Sequence, residues 1–321
     1  MTFRKLIDGS SSSACERDSL DSFKPSQFEH LVSMEHSREV LSEVDHILML
    51  MFPDYDTRPV HRVFQDVVKL FEGGWPGYQK CNTQYHDLHH TMDCFLAMAR
   101  LVHGGSVDGI RFGRHNTYLS LISSLMHDTG YIQPADDRTG TGAKYTLVHI
   151  ERSIGFLERY LAQNGFAAED LNQCRNCLRC TGLDVNVDQI QFSSRENEVL
   201  GKMLGTADLL GQMASPAYLE RLPELLSEFI EGGVPGFGDE VGFLEQTIKF
   251  WEMTQRRFRK DLGGVNTLMR NHFRVRWGID RDLYWEAIER HIHYLDYILE
   301  NYREDYRDYL TRNGWMKLLD N

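Results

Sequence analysis

Three short stretches of this chain hold side chains able to grip a cation. In Tyr85-His86-Asp87-Leu88-His89-His90-Thr91-Met92-Asp93, His86 and His90 stand four residues apart. Read as the start of a helix, this stretch puts their imidazoles one above the other on one face. Leu121-Ile122-Ser123-Ser124-Leu125-Met126 is an apolar helical run that ends in His127-Asp128-Thr129-Gly130, an imidazole and a carboxylate before a glycine suited to a helix stop. In Met203-Leu204-Gly205-Thr206-Ala207-Asp208-Leu209-Leu210 a single acid sits in an uncharged run. A carboxylate there is costly unless a cation or hydrogen-bond donors pair with it. Each stretch alone has a plainer reading: two solvated histidines, a chance His-Asp pair, or an aspartate capping a helix. Together they form a mixed nitrogen and oxygen donor set that suits divalent zinc, manganese, iron or magnesium.

Such residues must be positioned by a fold, and 321 residues with 41% hydrophobic content suffice for one large helical domain or two smaller ones. The net charge of -12 argues against nucleic acid or anionic lipid as partner, since both require basic patches. No apolar run reaches the ~18 residues needed to span a bilayer, and Met1 to Asp21 is too polar for a secretory leader, so no membrane association and a cytoplasmic location are expected. The six cysteines are expected as reduced thiols, with Cys174, Cys177 and Cys180 on one packed helical face.

Residues 1–26 read as a flexible tail. Helical spacing of apolar residues follows at Phe28 to Met51 and Arg58 to Phe71, with breaks at Pro53 and Pro59. The His-rich helix should run to about Val102 and stop at Gly104-Gly105. Further helices are expected over Asn116 to His127, Tyr145 to Leu161, Glu169 to Thr181, Ser194 to Met213, Pro216 to Ile230, Glu240 to Lys260 and Arg281 to about Leu310. His149 and Glu151 read most simply as solvated helix residues, with contact to the metal site as the alternative. No strand alternation is visible. The expectation is an all-α fold, a single compact multi-helix domain over 27–321, with a metal-site core at about 80–215 and substrate-pocket and C-terminal helices at about 216–321.

In this order the motifs resemble those of the HD-domain metal phosphohydrolases, and within them the catalytic domain of class I 3′,5′-cyclic nucleotide phosphodiesterases. Tyr85, His86, His90 and Asp93 match a Tyr-His-Asn-x-x-His-Ala-x-Asp-Val signature, while Asp87, Thr91 and Cys94 replace its Asn, Ala and Val. His127-Asp128 and Ala207-Asp208-Leu209 match the later metal motifs, and Glu240-Val241-Gly242-Phe243-Leu244 with Phe250-Trp251-Glu252 resembles Gln-Val-Gly-Phe-Ile and Leu-Trp-Glu. The resemblance covers roughly Arg58 to Lys260. It implies that His90, His127, Asp128 and Asp208 hold a first metal, that Asp128 also reaches a second, and that His86 is the general acid. It also implies that Phe243 stacks on a purine, that position 240 meets the purine's polar edge, and that Tyr85 borders the substrate. The chain departs from the pattern at Tyr131, which replaces a histidine that supports the second ion's water, and around Val148 to Glu151, where a Glu-Asn-His-His motif is not reproduced. It departs again at Glu240, whose carboxylate only accepts hydrogen bonds and so favours guanine, with its two donors, over adenine.

The implied activity is hydrolysis of a cyclic nucleotide to the 5′-monophosphate by a hydroxide formed at two divalent ions, with His86 protonating the leaving oxygen. His86 as a further metal ligand is the competing reading of that residue. The alternatives are an HD-type nucleotidase or other phosphomonoesterase, and a non-catalytic module that senses a nucleotide. The expected partner is a small nucleotide, and a homodimer stays open.

Overall fold

The structure is a computed structural model that describes residues 31–33, 36–311 and 314–317. The expected tail at 1–26 lies outside the described residues. The architecture is all-α. Among the described residues there is no strand, only an isolated bridge between Tyr78 and Pro134. No helix among them is long and apolar enough to cross a membrane.

The helices are α1 (Ser37–Met51), α2 (Arg58–Phe71), α3 (Leu88–Val107), α4 (Arg114–Met126), α5 (His149–Gln163), α6 (Ala168–Arg179) and α7 (Arg195–Ala214). Then follow α8 (Leu222–Glu231), α9 (Glu240–Lys260), α10 (Met269–Trp277), α11 (Leu283–Asn301) and the short α12 (Gly314–Lys317). One buried apolar cluster runs from Val40 to Leu310.

Helix α3 is the axis. Its residues from His90 to Gly105 are all buried, and α1, α4, α7 and α10 pack around it. A helix buried on every side needs an apolar sequence all round, and Phe95-Leu96-Ala97-Met98 with Leu101-Val102 supplies one. Its buried cation, Arg100, donates from Nη1 to the Tyr284 hydroxyl at 3.0 Å and lies over the rings of Phe273 and Tyr284. That contact ties α10 and α11 to the axis.

The expected stop at Gly104-Gly105 is not one: α3 continues through both glycines to Val107. The reason is packing. A Cβ on Gly104 would stand 2.0 Å from the Leu268 carbonyl oxygen, so the missing side chain is the notch that lets the chain entering α10 reach the axis. Pro59 likewise opens α2 instead of breaking it, because the first turn of a helix needs no proline N–H. Arg281 to Leu310 divides into α11 and a 3-10 turn at Tyr306–Asp308. Helix α10, Met-Arg-Asn-His-Phe-Arg-Val-Arg-Trp, has no counterpart in the sequence reading, since its arginines hide the three residues that bury, Met269, His272 and Phe273. Helices α7 and α9 fall close to their expected places, capped by the side chains of Ser194 and Asp239.

The α3–α10 contact also buries two imidazoles. His103 Nδ1 and His272 Nδ1 are 3.1 Å apart, so at most one proton fits between them. Burial lowers both, His103 to about 4 and His272 well below the ordinary range. A histidine whose folded pKa is depressed contributes stability above its unfolded pKa and loses it as pH falls toward the folded one.

Two outcomes are expected. Gly104→Ala should destabilise the protein in urea titrations. Alanine gains up to ~1 kcal/mol of helix propensity over glycine, but a Cβ driven into a backbone oxygen costs more, on the order of 1–3 kcal/mol. The urea midpoint should also fall between pH 6.5 and pH 5 by the equivalent of about 2 kcal/mol for a buried neutral histidine, and His103→Asn should flatten that decline.

Candidate metal centre

His90 is the third residue of α3, and its backbone is fixed by the capping aspartate just before the helix: Asp87 Oδ1 accepts from His90 N at 3.0 Å. His127 caps the C-terminal end of α4, where its Nδ1 donates to the Ser124 carbonyl at 2.8 Å. That bond commits the proton to Nδ1 and leaves a lone pair on Nε2. Asp128 follows in a turn, and Asp208 projects from the middle of α7.

These four meet. His90 Nε2 is 3.3 Å from His127 Nε2, 3.3 Å from Asp128 Oδ2 and 3.2 Å from Asp208 Oδ1. His127 Nε2 is 3.3 Å from Asp128 Oδ2 and 3.5 Å from Asp208 Oδ1. The close approach of α7 to α3 makes this possible: a Cβ on Gly211, one turn beyond Asp208, would lie 2.9–3.1 Å from the backbone of Asp93 and Cys94.

The chemistry of this donor set fits a cation. Asp128 is 3% exposed, yet its Oδ2 accepts no hydrogen bond. Burial lowers the His90 imidazole, but Asp128 and Asp208 override that and lift it to about 9. Burial raises both carboxyls, and the facing imidazoles more than reverse it, holding Asp128 and Asp208 well below the usual carboxylate range. Negative charge here therefore draws in positive charge. Protons answer poorly, because two imidazolium Nε2–H groups cannot face each other at 3.3 Å. A single divalent ion among the four atoms satisfies every one of them.

His86 does not sit on the helix as expected. Helix α3 starts at Leu88, so His86 lies in the bend before it, yet its ring is still 5.6 Å from that of His90. What holds it was not foreseen. His86 Nδ1 pairs with Glu228 Oε2 at 2.5 Å, and the other oxygen of Glu228 accepts from Tyr85 N at 2.6 Å. Glu228 comes from α8, where it borders the apolar stripe of Leu222, Leu225 and Leu226. An acid buried at the edge of such a stripe was the one signal available.

The His86 ring also stacks on Tyr131, 4.4 Å between centroids, and Tyr131 stacks on His149 at 4.6 Å. His149 thus belongs to the centre and Glu151 does not, being an exposed partner of Arg179. With Nδ1 donating to the Thr146 carbonyl at 2.6 Å, His149 turns Nε2 toward Asp128 Oδ1, 3.8 Å away. Burial lowers its pKa. Gly130 is no left-handed helix stop. A Cβ there would stand 2.0 Å from the His149 carbonyl oxygen, so its role is to admit α5 against the His-Asp turn.

The three residues expected at the substrate are placed differently. Tyr85 is 3% exposed, its ring beneath the Arg221 guanidinium and 6.2 Å from His90, so it supports the centre from within. Glu240 opens α9 and pairs with Arg307, Oε1 to Nε at 3.1 Å. Phe243 is 4% exposed and packs on Phe229 and Phe237. Glu240 and Phe243 are each committed to a local partner. One donor was passed over: Cys94, a turn after His90, has its sulfur in a second group with His127 and Asp208. The i to i+4 spacing from His90 was the available signal.

Residues 77–245, just over half of the chain, match the sequence model of a protein family described as Npun_R2479-like. The matched span contains every donor named above and the His86–Glu228 pair. No curated protein and no solved structure matches the chain.

The purified chain should carry divalent metal by elemental analysis, and Asp208→Ala and His127→Ala should not. Chelation should lower the thermal midpoint, since an ion at a hundred times its Kd stabilises the folded state by about 2.7 kcal/mol. A metal-free wild type, indifferent to chelator and added ions, would count against the centre.

Proposed function

The chain belongs to the Npun_R2479-like family, and we propose that this member is a metal-dependent phosphohydrolase of HD type, cleaving a phosphodiester and converting a 3′,5′-cyclic nucleotide to its 5′-monophosphate. The observation that supports this reading is the meeting of His90, His127, Asp128 and Asp208 with a carboxylate-backed His86 at their side. A bound divalent ion supplies neutralisation of the phosphate and acidification of water.

The protein's own groups do the rest. His90, His127 and Asp208 would hold the first ion. Asp128 offers Oδ2 to that cluster and Oδ1 to the side where His149 Nε2 waits, so these two would hold a second. Glu228 keeps a proton on His86 Nδ1, which leaves Nε2 to deliver the other proton to the leaving oxygen. The stack on Tyr131 holds the His86 ring in its plane. The general acid is thereby positioned from two directions, by a charge and by a ring.

One observation favours a second reading. Glu240 and Phe243, which would clamp a base, are engaged with Arg307 and with Phe229 and Phe237. A centre without that clamp suits a smaller phosphomonoester as well.

Assay with manganese, magnesium or zinc against cyclic AMP, cyclic GMP and the 5′-mononucleotides separates the two readings. Turnover of a cyclic nucleotide that drops 10²–10⁴-fold in His86→Ala is the expected result. Phosphate release from monophosphates alone transfers the assignment to a phosphomonoesterase. Rates on all substrates no higher than those of Asp208→Ala would reject both.

A further inference from the structure

The donor set has a fifth member with a different chemistry. Cys94 sits one turn beyond His90 on α3 and is 0% exposed. Its Sγ, a nitrogen of His127 and a carboxylate oxygen of Asp208 lie within 4.8 Å of one another. His127 and Asp208 also belong to the four-donor cluster, so the cysteine's group shares two side chains with it. Two ligand atoms on opposite sides of an ion, one sulfur at ~2.3 Å and one nitrogen at ~2.1 Å, stand about 4.4 Å apart. The 4.8 Å limit on the three atoms is a few tenths of an ångström wider than that, so the sulfur meets an ion on His127 and Asp208 with at most a small closure of the group.

The other described buried cysteines set the contrast. Cys174 and Cys177 lie on α6, and Cys180 caps it; the thiols of Cys174 and Cys180 donate to the carbonyls of Leu119 and Asn176. No candidate metal group among the described residues includes them. A small apolar residue would fill the core at position 94 as well, whereas a thiol grouped with His127 and Asp208 offers an ion a further electron pair.

Resting on the metal-centre reading above, we propose that Cys94 binds an ion held by His127 and Asp208 through its thiolate, adding a sulfur to their nitrogen and oxygen. The S–H proton leaves to solvent as the bond to the metal forms. A thiolate selects softer ions, so the centre takes zinc, cobalt or ferrous iron in preference to magnesium or manganese.

Cobalt(II) tests this on the full chain, stripped of metal by chelator and titrated while its spectrum is recorded. Visible d–d bands report that the ion has entered the cluster, and a near-ultraviolet sulfur-to-cobalt charge-transfer band reports that sulfur is bound to it. Both are expected in the wild type. In Cys94→Ser and Cys94→Val the d–d bands should remain and the charge-transfer band vanish. Competition should show zinc affinity reduced by at least the ~10-fold that loss of a mere outer partner costs, with manganese affected less. The wild-type spectrum decides even if a variant fails to fold. Visible bands without charge transfer would overturn the role of Cys94 and leave the metal centre standing. A charge-transfer band that persists in both variants would do the same. Absence of any cobalt signal from folded wild type would overturn the centre and this proposal together.

Discussion

Two imidazoles and two carboxylates pressed against one another inside a protein are a constraint that the fold has to answer. His127 gives its only neutral-state proton to Ser124, Asp128 Oδ2 accepts nothing, and His90 and Asp208 close the ring. Left unpaired, buried groups of this kind cost several kcal/mol. Helices α3, α4 and α7 are packed closely enough to enforce the arrangement regardless. The centre is held by the packing around it, and its affinity for positive charge follows.

The tools of that enforcement are absences. Gly104, Gly130 and Gly211 occupy places where a methyl group would strike the backbone of another element. The first seats α10 on the axis, the second brings His149 to the His-Asp turn, and the third lowers α7 onto α3. Ordinary helix propensity disfavours glycine at such positions by up to ~1 kcal/mol. Close approach of backbones is what that cost secures.

The helices and the four donors were legible because both signals are local. Apolar spacing marks a helix, and His-Asp at the end of an apolar run or Asp208 within one is conspicuous without knowledge of the fold. What escaped was set by contacts distant in sequence. Glu228 reaches His86 across 142 positions, and nothing near either residue announces the other. Gly104-Gly105 resembles a helix stop until Leu268 is seen against it. Tyr85 and Phe243 were expected to face a substrate and instead are packed in the interior, since burial of an aromatic ring is a property of the assembled neighbours. Cys94 was read only as a replacement for valine, although its spacing from His90 already placed it on the donor face.

Arg100 carries one more consequence. The family match ends at residue 245, yet the guanidinium at the middle of α3 donates to Tyr284 and lies over Phe273, both contributed from beyond that limit. Excised as a fragment, 77–245 would bare a cation and the apolar flanks of the helix that begins at His90's own turn. The shared stretch is thus a signature without autonomy. Drift in the C-terminal helices can retune the surroundings of the four side chains while each of them stays untouched.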